Sequence, residues 1–191
     1  TIGTYEVPIW AKKGWLVPLA NLGADYDVAD LLPKIKDAVS SDGKLYAAPF
    51  YGESSMVMYR TDLFDKAGLK MPEKPTWDFV IDAARKLTDK NAGTYGICLR
   101  GKAGWGENIA LLSTMANAFG ARWFDEQWKP ELTSPEWTAA ANFYVNTLKQ
   151  YGPPGVSSNC FNETLALSNS GQSPTWVGAS RPRPLPTDQS P

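Results

Sequence analysis

Four short runs hold the residues best equipped for chemistry, and each mixes aromatic rings with hydrogen-bonding groups. Tyr51-Gly52-Glu53-Ser54 sits in the middle of the longer run 46–60. Gly52 permits close backbone approach, Glu53 can accept two hydroxyl hydrogen bonds, and Tyr51 offers a stacking face. The plainer reading is a strand bulge with a solvated Glu53. The second run is Arg100-Gly101-Lys102-Ala103-Gly104-Trp105-Gly106-Glu107-Asn108. A glycine-rich loop ahead of a helix can cradle a phosphate, but Ala103 stands where a phosphate loop needs Ser or Thr after Gly-Lys. Capture of a polyhydroxyl molecule by Trp105, Arg100, Glu107 and Asn108 fits these residues better, with Trp105 as a mere core plug the alternative. In the third run, Arg122-Trp123-Phe124-Asp125, an extended backbone points Trp123 and Phe124 to opposite sides, so one is core and the other free. The fourth, residues 157–163, precedes a helix that Asn162 is expected to cap, which leaves Asn159 or Phe161 as alternative ligand contacts.

Aromatic faces beside hydrogen-bonding groups are what sugars and polyols require, because their C–H faces stack while their hydroxyls need partners. The chain carries eight Trp, eight Tyr and seven Phe, and several stand in polar or glycine-rich runs that packing alone does not explain. Histidine is absent, which removes the usual general base, the usual catalytic triad and most zinc sites. Cys98 and Cys160 are too far apart for a CxxC motif; they form either one disulfide or two separate thiols, the second being the simpler expectation. Glu53 with Glu107 or Asp125 supplies the carboxylates of an alternative reading, a glycoside hydrolase, although nothing in their spacing favours it. The net charge is −1 with scattered Lys and Arg, so no nucleic-acid partner is expected. No apolar run approaches the roughly 18 residues that span a bilayer. No cofactor, metal or catalytic residue is expected.

The elements that must position these runs read as α/β. The 191 residues, 43% of them apolar, suffice for a packed core. Residues 1–4 read as the end of a strand, 5–8 as a loop, and 9–13 as a short helix closed by Gly14. Residues 27–41 read as mostly helical, with Pro33 starting a second part. Asp42-Gly43 signals a hairpin turn before a strand over 44–49. The run 46–60 begins and ends as strand and opens in its middle, as a segment crossing between two lobes would. Thr61 is expected to cap a helix that Gly68 stops, and Thr76 a longer one with its apolar stripe at Phe79, Val80, Ala83, Ala84 and Leu87. A buried strand over 95–99 follows, then helices over 107–119 and from Ser134-Pro135 to about 150, and a strand at 175–177. The tail from Ser173 is crowded with Pro and reads as extended.

Residues 44–56, Lys-Leu-Tyr-Ala-Ala-Pro-Phe-Tyr-Gly-Glu-Ser-Ser-Met, followed by Tyr59-Arg60-Thr61-Asp62-Leu63-Phe64-Asp65-Lys66-Ala67-Gly68, resemble the family 1 extracellular solute-binding proteins of bacterial ABC sugar importers. Gly96-Ile97-Cys98-Leu99-Arg100 through Asn108, with Tyr151-Gly152-Pro153-Pro154-Gly155, is similar to the sorbitol/mannitol-binding branch. The resemblance implies a type II periplasmic-binding-protein fold, two α/β lobes closing on a ligand, present here only in part. Residues 1–52 would be part of the N-terminal lobe and 53–191 most of the C-terminal lobe, with 173–191 atypical. It implies a monomeric periplasmic protein, exported by a signal peptide that is not in this chain, that delivers a polyol or sugar to ABC permease subunits without chemistry. Its ligand contacts would be Tyr5, Tyr51, Glu53, Arg100, Trp105, Glu107, Asn108, Trp123, Asn162 and Trp176. Gly178 departs from the family pattern, which has Asp there, and prolines follow where it has an Ala-rich helix.

Overall fold

The computed structural model describes residues 2–23, 25–50, 52–104 and 106–179. The chain divides into two compact units, Thr1–Glu53 and Ser54–Pro191. The proline-rich stretch from Ser180 onward lies outside the described residues.

In the first unit, helix α1 spans Glu6–Lys12, three residues earlier than the sequence suggests. The expected loop over 5–8 is helical from Glu6 on, and Pro8 falls in the first turn, where a missing N–H costs nothing. Glu6 also secures that turn by accepting from the Gly3 N–H at 2.7 Å, and no strand precedes it among the described residues. Val7 is its buried anchor. Helix α2 covers only Pro33–Ala38, because Asp27 accepts from the Ala29 N–H at 3.0 Å and commits the preceding residues to a turn. The expected hairpin is present. Strands β1 (Ser40–Ser41) and β2 (Lys44–Leu45) pair antiparallel, and Asp42 and Gly43 both take positive φ, 49° and 73°, as a type I′ turn demands. Beyond Leu45 the chain leaves the ladder after one further bond, Tyr46 N–H to the Val39 carbonyl at 3.0 Å, so the expected strand over 44–49 is much shorter.

In the second unit, β3 (Ser55–Tyr59) pairs antiparallel with β4 (Thr175–Ala179), Val57 opposite Val177. Cys98 bridges Trp176 in parallel on the other side of β4. The expected strand over 95–99 is thus reduced to one bridge at the margin of the sheet. The alternation of side chains gives this sheet two faces. Ile97, Leu99 and Val177 join Val80, Ala84, Leu111, Met115, Tyr144 and Leu148 in the main core. These come from α4 (Trp77–Leu87), α5 (Glu107–Ala118) and α6 (Pro135–Tyr151). On the opposite face the Cys98 thiol donates to the Thr164 carbonyl of α7 (Phe161–Asn169) at 3.3 Å, and burial pushes that thiol up to about 12. Cys98 and Cys160 are free thiols.

Helix starts follow local chemistry where a side-chain oxygen is available. Thr76 accepts from Phe79 N–H, and Ser134 from Trp137 N–H with Pro135 in the first turn. Two expected caps are corrected. Helix α3 is Thr61–Lys66 with Arg60 at the cap position, so Thr61 is already helical. Arg60 forks onto Asp62 with two bonds of 2.8 Å and donates to the Ser168 and Asn169 carbonyls, tying β3 to the end of α7. Helix α7 is capped by Cys160 rather than Asn162. The Glu163 carboxylate accepts from the Cys160 N–H at 3.0 Å and from its thiol at 2.8 Å.

Candidate functional site

The loop that leaves the sheet at Arg100 is fixed from behind. The buried Tyr144 hydroxyl donates to the Arg100 carbonyl at 2.6 Å. The N–H groups of Gly101 and Lys102 both donate to the Asn159 carbonyl, at 3.1 and 3.0 Å. That strap requires glycine, because a Cβ at position 101 would stand 2.3 Å from the Val156 carbonyl oxygen. Asn108 N–H closes the loop onto the Lys102 carbonyl at 3.2 Å, and Gly106, with φ of 69°, turns the chain into α5.

This framework sets Arg100 against Glu107, the first residue of α5. Their side chains are only 13% and 29% exposed, and Arg100 Nη1 lies 3.6 Å from Glu107 Oε2. That is an ion pair but too long for a hydrogen bond. Four buried side-chain polar atoms lack a hydrogen-bond partner among the described residues: Arg100 Nε, Glu107 Oε2, Thr175 Oγ1 and Trp176 Nε1. Two of the four are therefore a donor and an acceptor on one ion pair. A buried polar group left this way costs about 1–3 kcal/mol. A hydroxyl, which both donates and accepts, is the small group able to satisfy the two together.

The neighbouring α7 brings more charge. Glu163 is held down to about 2, chiefly by the Cys160 thiol and N–H, with the Lys102 charge contributing. Asn162 stands exposed in the first turn of α7, free of the capping role expected for it. Trp176 corrects an expectation. Its indole is 1% exposed and meets Phe161 edge-on at 5.4 Å, so no ring face is open for stacking. The indole also lies over Gly178, where a Cβ would fall 2.6 Å from a ring carbon.

The other expected contacts lie elsewhere. Trp123 is 38% exposed and rests edge-on against Trp137 at 4.6 Å, while the Trp137 indole N–H donates to the Arg122 carbonyl at 2.6 Å. Phe124 stays exposed as well, beside Trp128, so neither ring of that pair is core. Asp125 accepts from the N–H groups of Gln127 and Lys129, holding a turn. Tyr5, 61% exposed, and the exposed Glu53 belong to the first unit. Tyr51 and Trp105 lie outside the described residues. The structure thus brings Arg100, Glu107 and Asn108 together in one loop. Sequence reasoning missed Tyr144 as the anchor of Arg100, and the signal for it was a hydroxyl on the buried stripe of α6, which must find an acceptor. No cluster of metal-binding side chains occurs among the described residues, and no helix there is long and apolar enough to cross a membrane.

The profile of the bacterial extracellular solute-binding proteins matches residues 1–182. A mannitol-binding protein of Pseudomonas aeruginosa is 58% identical over 190 residues, covering 100% of this chain and 44% of that protein. An ABC transporter solute-binding protein from Agrobacterium vitis S4, solved with bound D-mannitol, superposes with a TM-score of 0.87 at 64% identity, covering 94% of this chain and 43% of that one. Another from Agrobacterium radiobacter K84, in complex with ribitol, gives a TM-score of 0.81 at 26% identity over 93% of this chain and 45% of that one. The chain spans less than half the length of these relatives.

Proposed function

Because the chain belongs to the bacterial extracellular solute-binding proteins, we propose that it is part of the polyol-capturing component of an ABC importer. The observation that carries this reading is the Arg100–Glu107 ion pair, which keeps a buried donor and a buried acceptor without hydrogen-bond partners, in a chain whose near relatives include a mannitol binder. A polyol hydroxyl bridges Nε and Oε2, and the loop is braced for it by Tyr144 and the Asn159 carbonyl.

In this reading Asn108, Asn162 and Glu53 supply further hydrogen bonds. Tyr5 and Trp123 supply exposed aromatic surface for the carbon chain, and Tyr51 and Trp105 are assigned the same role on sequence grounds. Trp176 contributes packing beneath the site rather than a stacking face. Residues 1–52 form part of an N-terminal lobe and 53–191 most of a C-terminal lobe of a type II α/β binding fold, which acts as a monomer. The protein works in the periplasm and hands its ligand to permease subunits, and no bond is made or broken. A glycoside hydrolase reading has no support here. Glu107 is paired with Arg100 and Asp125 is spent on a turn, so neither stands free as an acid or base.

Isothermal titration of the intact protein with mannitol, sorbitol and ribitol tests the proposal. The expected result is saturable binding at one site, with the polyol recovered unchanged. Absence of binding by all three, or conversion of any of them, overturns it.

A further inference from the structure

We infer that Glu107 restricts this site to uncharged polyols by cancelling the charge of Arg100, so that phosphorylated polyols are refused. The inference rests on the polyol reading above and concerns its selectivity. A glycine-rich loop with two cations, opening onto a helix N-terminus, is by composition an anion site, because backbone N–H groups, the helix dipole and positive side chains all favour negative charge there. In this loop several of those groups are already engaged. The N–H groups of Gly101 and Lys102 are spent on the Asn159 carbonyl, and that of Asn108 on the Lys102 carbonyl. Arg100 faces Glu107 at 3.6 Å. The charge of Lys102, the second cation, is the smallest of the influences that favour the charged form of the Glu163 carboxylate.

Among the buried atoms of the pair, one donor, Arg100 Nε, and one acceptor, Glu107 Oε2, have no hydrogen-bond partner. A phosphate oxygen can accept from Nε but has no proton for Oε2 and is repelled by it. A hydroxyl satisfies both atoms. Glu107 therefore does two things at once, accepting a hydroxyl proton and removing the net positive charge that an anionic ligand would need.

The test is calorimetric titration of the intact protein at fixed ionic strength with mannitol, mannitol 1-phosphate and 1-amino-1-deoxymannitol. The wild type should take mannitol and discriminate against both charged analogues. Glu107→Gln, which keeps the shape and removes the charge, should shift the mannitol 1-phosphate to mannitol affinity ratio upward at least tenfold. Arg100→Gln should shift the aminopolyol ratio upward by a similar factor. Glu107→Asp, which keeps the charge, should go on refusing the phosphate. Proportional loss of all three ligands in both neutral variants would mark the pair as merely structural and overturn the inference. A wild type that binds no polyol at all would instead overturn the reading beneath it, and the inference with it. Melting curves of each variant confirm that the comparison is between folded proteins, and the two neutral variants give independent readings of the same pair.

Discussion

Replacing Tyr144 by Phe removes one oxygen atom and leaves the ring in place. That oxygen donates to the Arg100 carbonyl at 2.6 Å from a buried position on α6, and burial pushes the Tyr144 phenol up from its ordinary value. The phenol is thus neutral and a donor throughout the working pH range. Without it a buried carbonyl loses its partner while the packing of Leu99, Leu111 and Leu148 is retained. Such a loss costs about 1–2 kcal/mol. For a chain of this size each kcal/mol lowers the melting temperature by about 2–4 °C. Urea denaturation of the wild type and of Tyr144→Phe, followed by far-UV circular dichroism, reads the difference as a lower midpoint at unchanged slope. Because the same carbonyl precedes the Gly101 strap, mannitol affinity should fall together with stability. A stability change under about 0.5 kcal/mol, the size of an ordinary surface substitution, would show that the bond does not hold the loop.

Gly178→Ala forces a Cβ to within 2.6 Å of the Trp176 ring. It should cost about 1–3 kcal/mol as overpacking and shift the indole emission to the red, and an unchanged spectrum would mean that the ring relaxes freely. Glu163 is held down to about 2 from an ordinary 4.5, so its contribution to stability is present above pH 4.5 and is lost as the pH falls from there toward 2. Cys160→Ala should move its carboxyl titration, followed by carbon NMR, back toward the ordinary value, and an unmoved titration would exclude the thiol as the main cause. Iodoacetamide under native conditions should label Cys160 and spare Cys98, whose thiol is buried and pushed up to about 12. Mass spectrometry showing equal labelling of both would contradict the packing of Cys98 against α7.

What could be read from the sequence was chiefly what a few adjacent residues decide. Thr76 and the Ser134-Pro135 pair announced their helices because a cap needs only its own first turn. Asp42-Gly43 announced its hairpin for the same reason. The loop expected over 5–8 gave way to helix because a proline is harmless in a first turn. Asn162 misled because the capping oxygen is not its own. The cap residue is Cys160, whose N–H and thiol both donate to the Glu163 carboxylate, and only the Glu half of that box has a familiar signature. The site loop was legible as a group, since Arg100, Glu107 and Asn108 are near neighbours in the chain. Its unpartnered donor and acceptor were not, because the loop backbone is held by Tyr144 and Asn159, which arrive from distant segments. The burial of Trp176 was hidden likewise, as it depends on Phe161 covering one particular face of the sheet.

The order of strands in the second unit bears on how the chain acquires its structure. β4 lies between β3 and the bridge at Cys98, so, among the described residues, both flanking segments meet their sheet partner only once residues 175–179 have been made. β3 and β4 are more than a hundred residues apart, and long-range pairing of this kind is slow because loop closure must precede the contacts that reward it. During synthesis the unit therefore stays without its sheet while most of its length has already emerged. A keystone strand delivered late is a built-in delay.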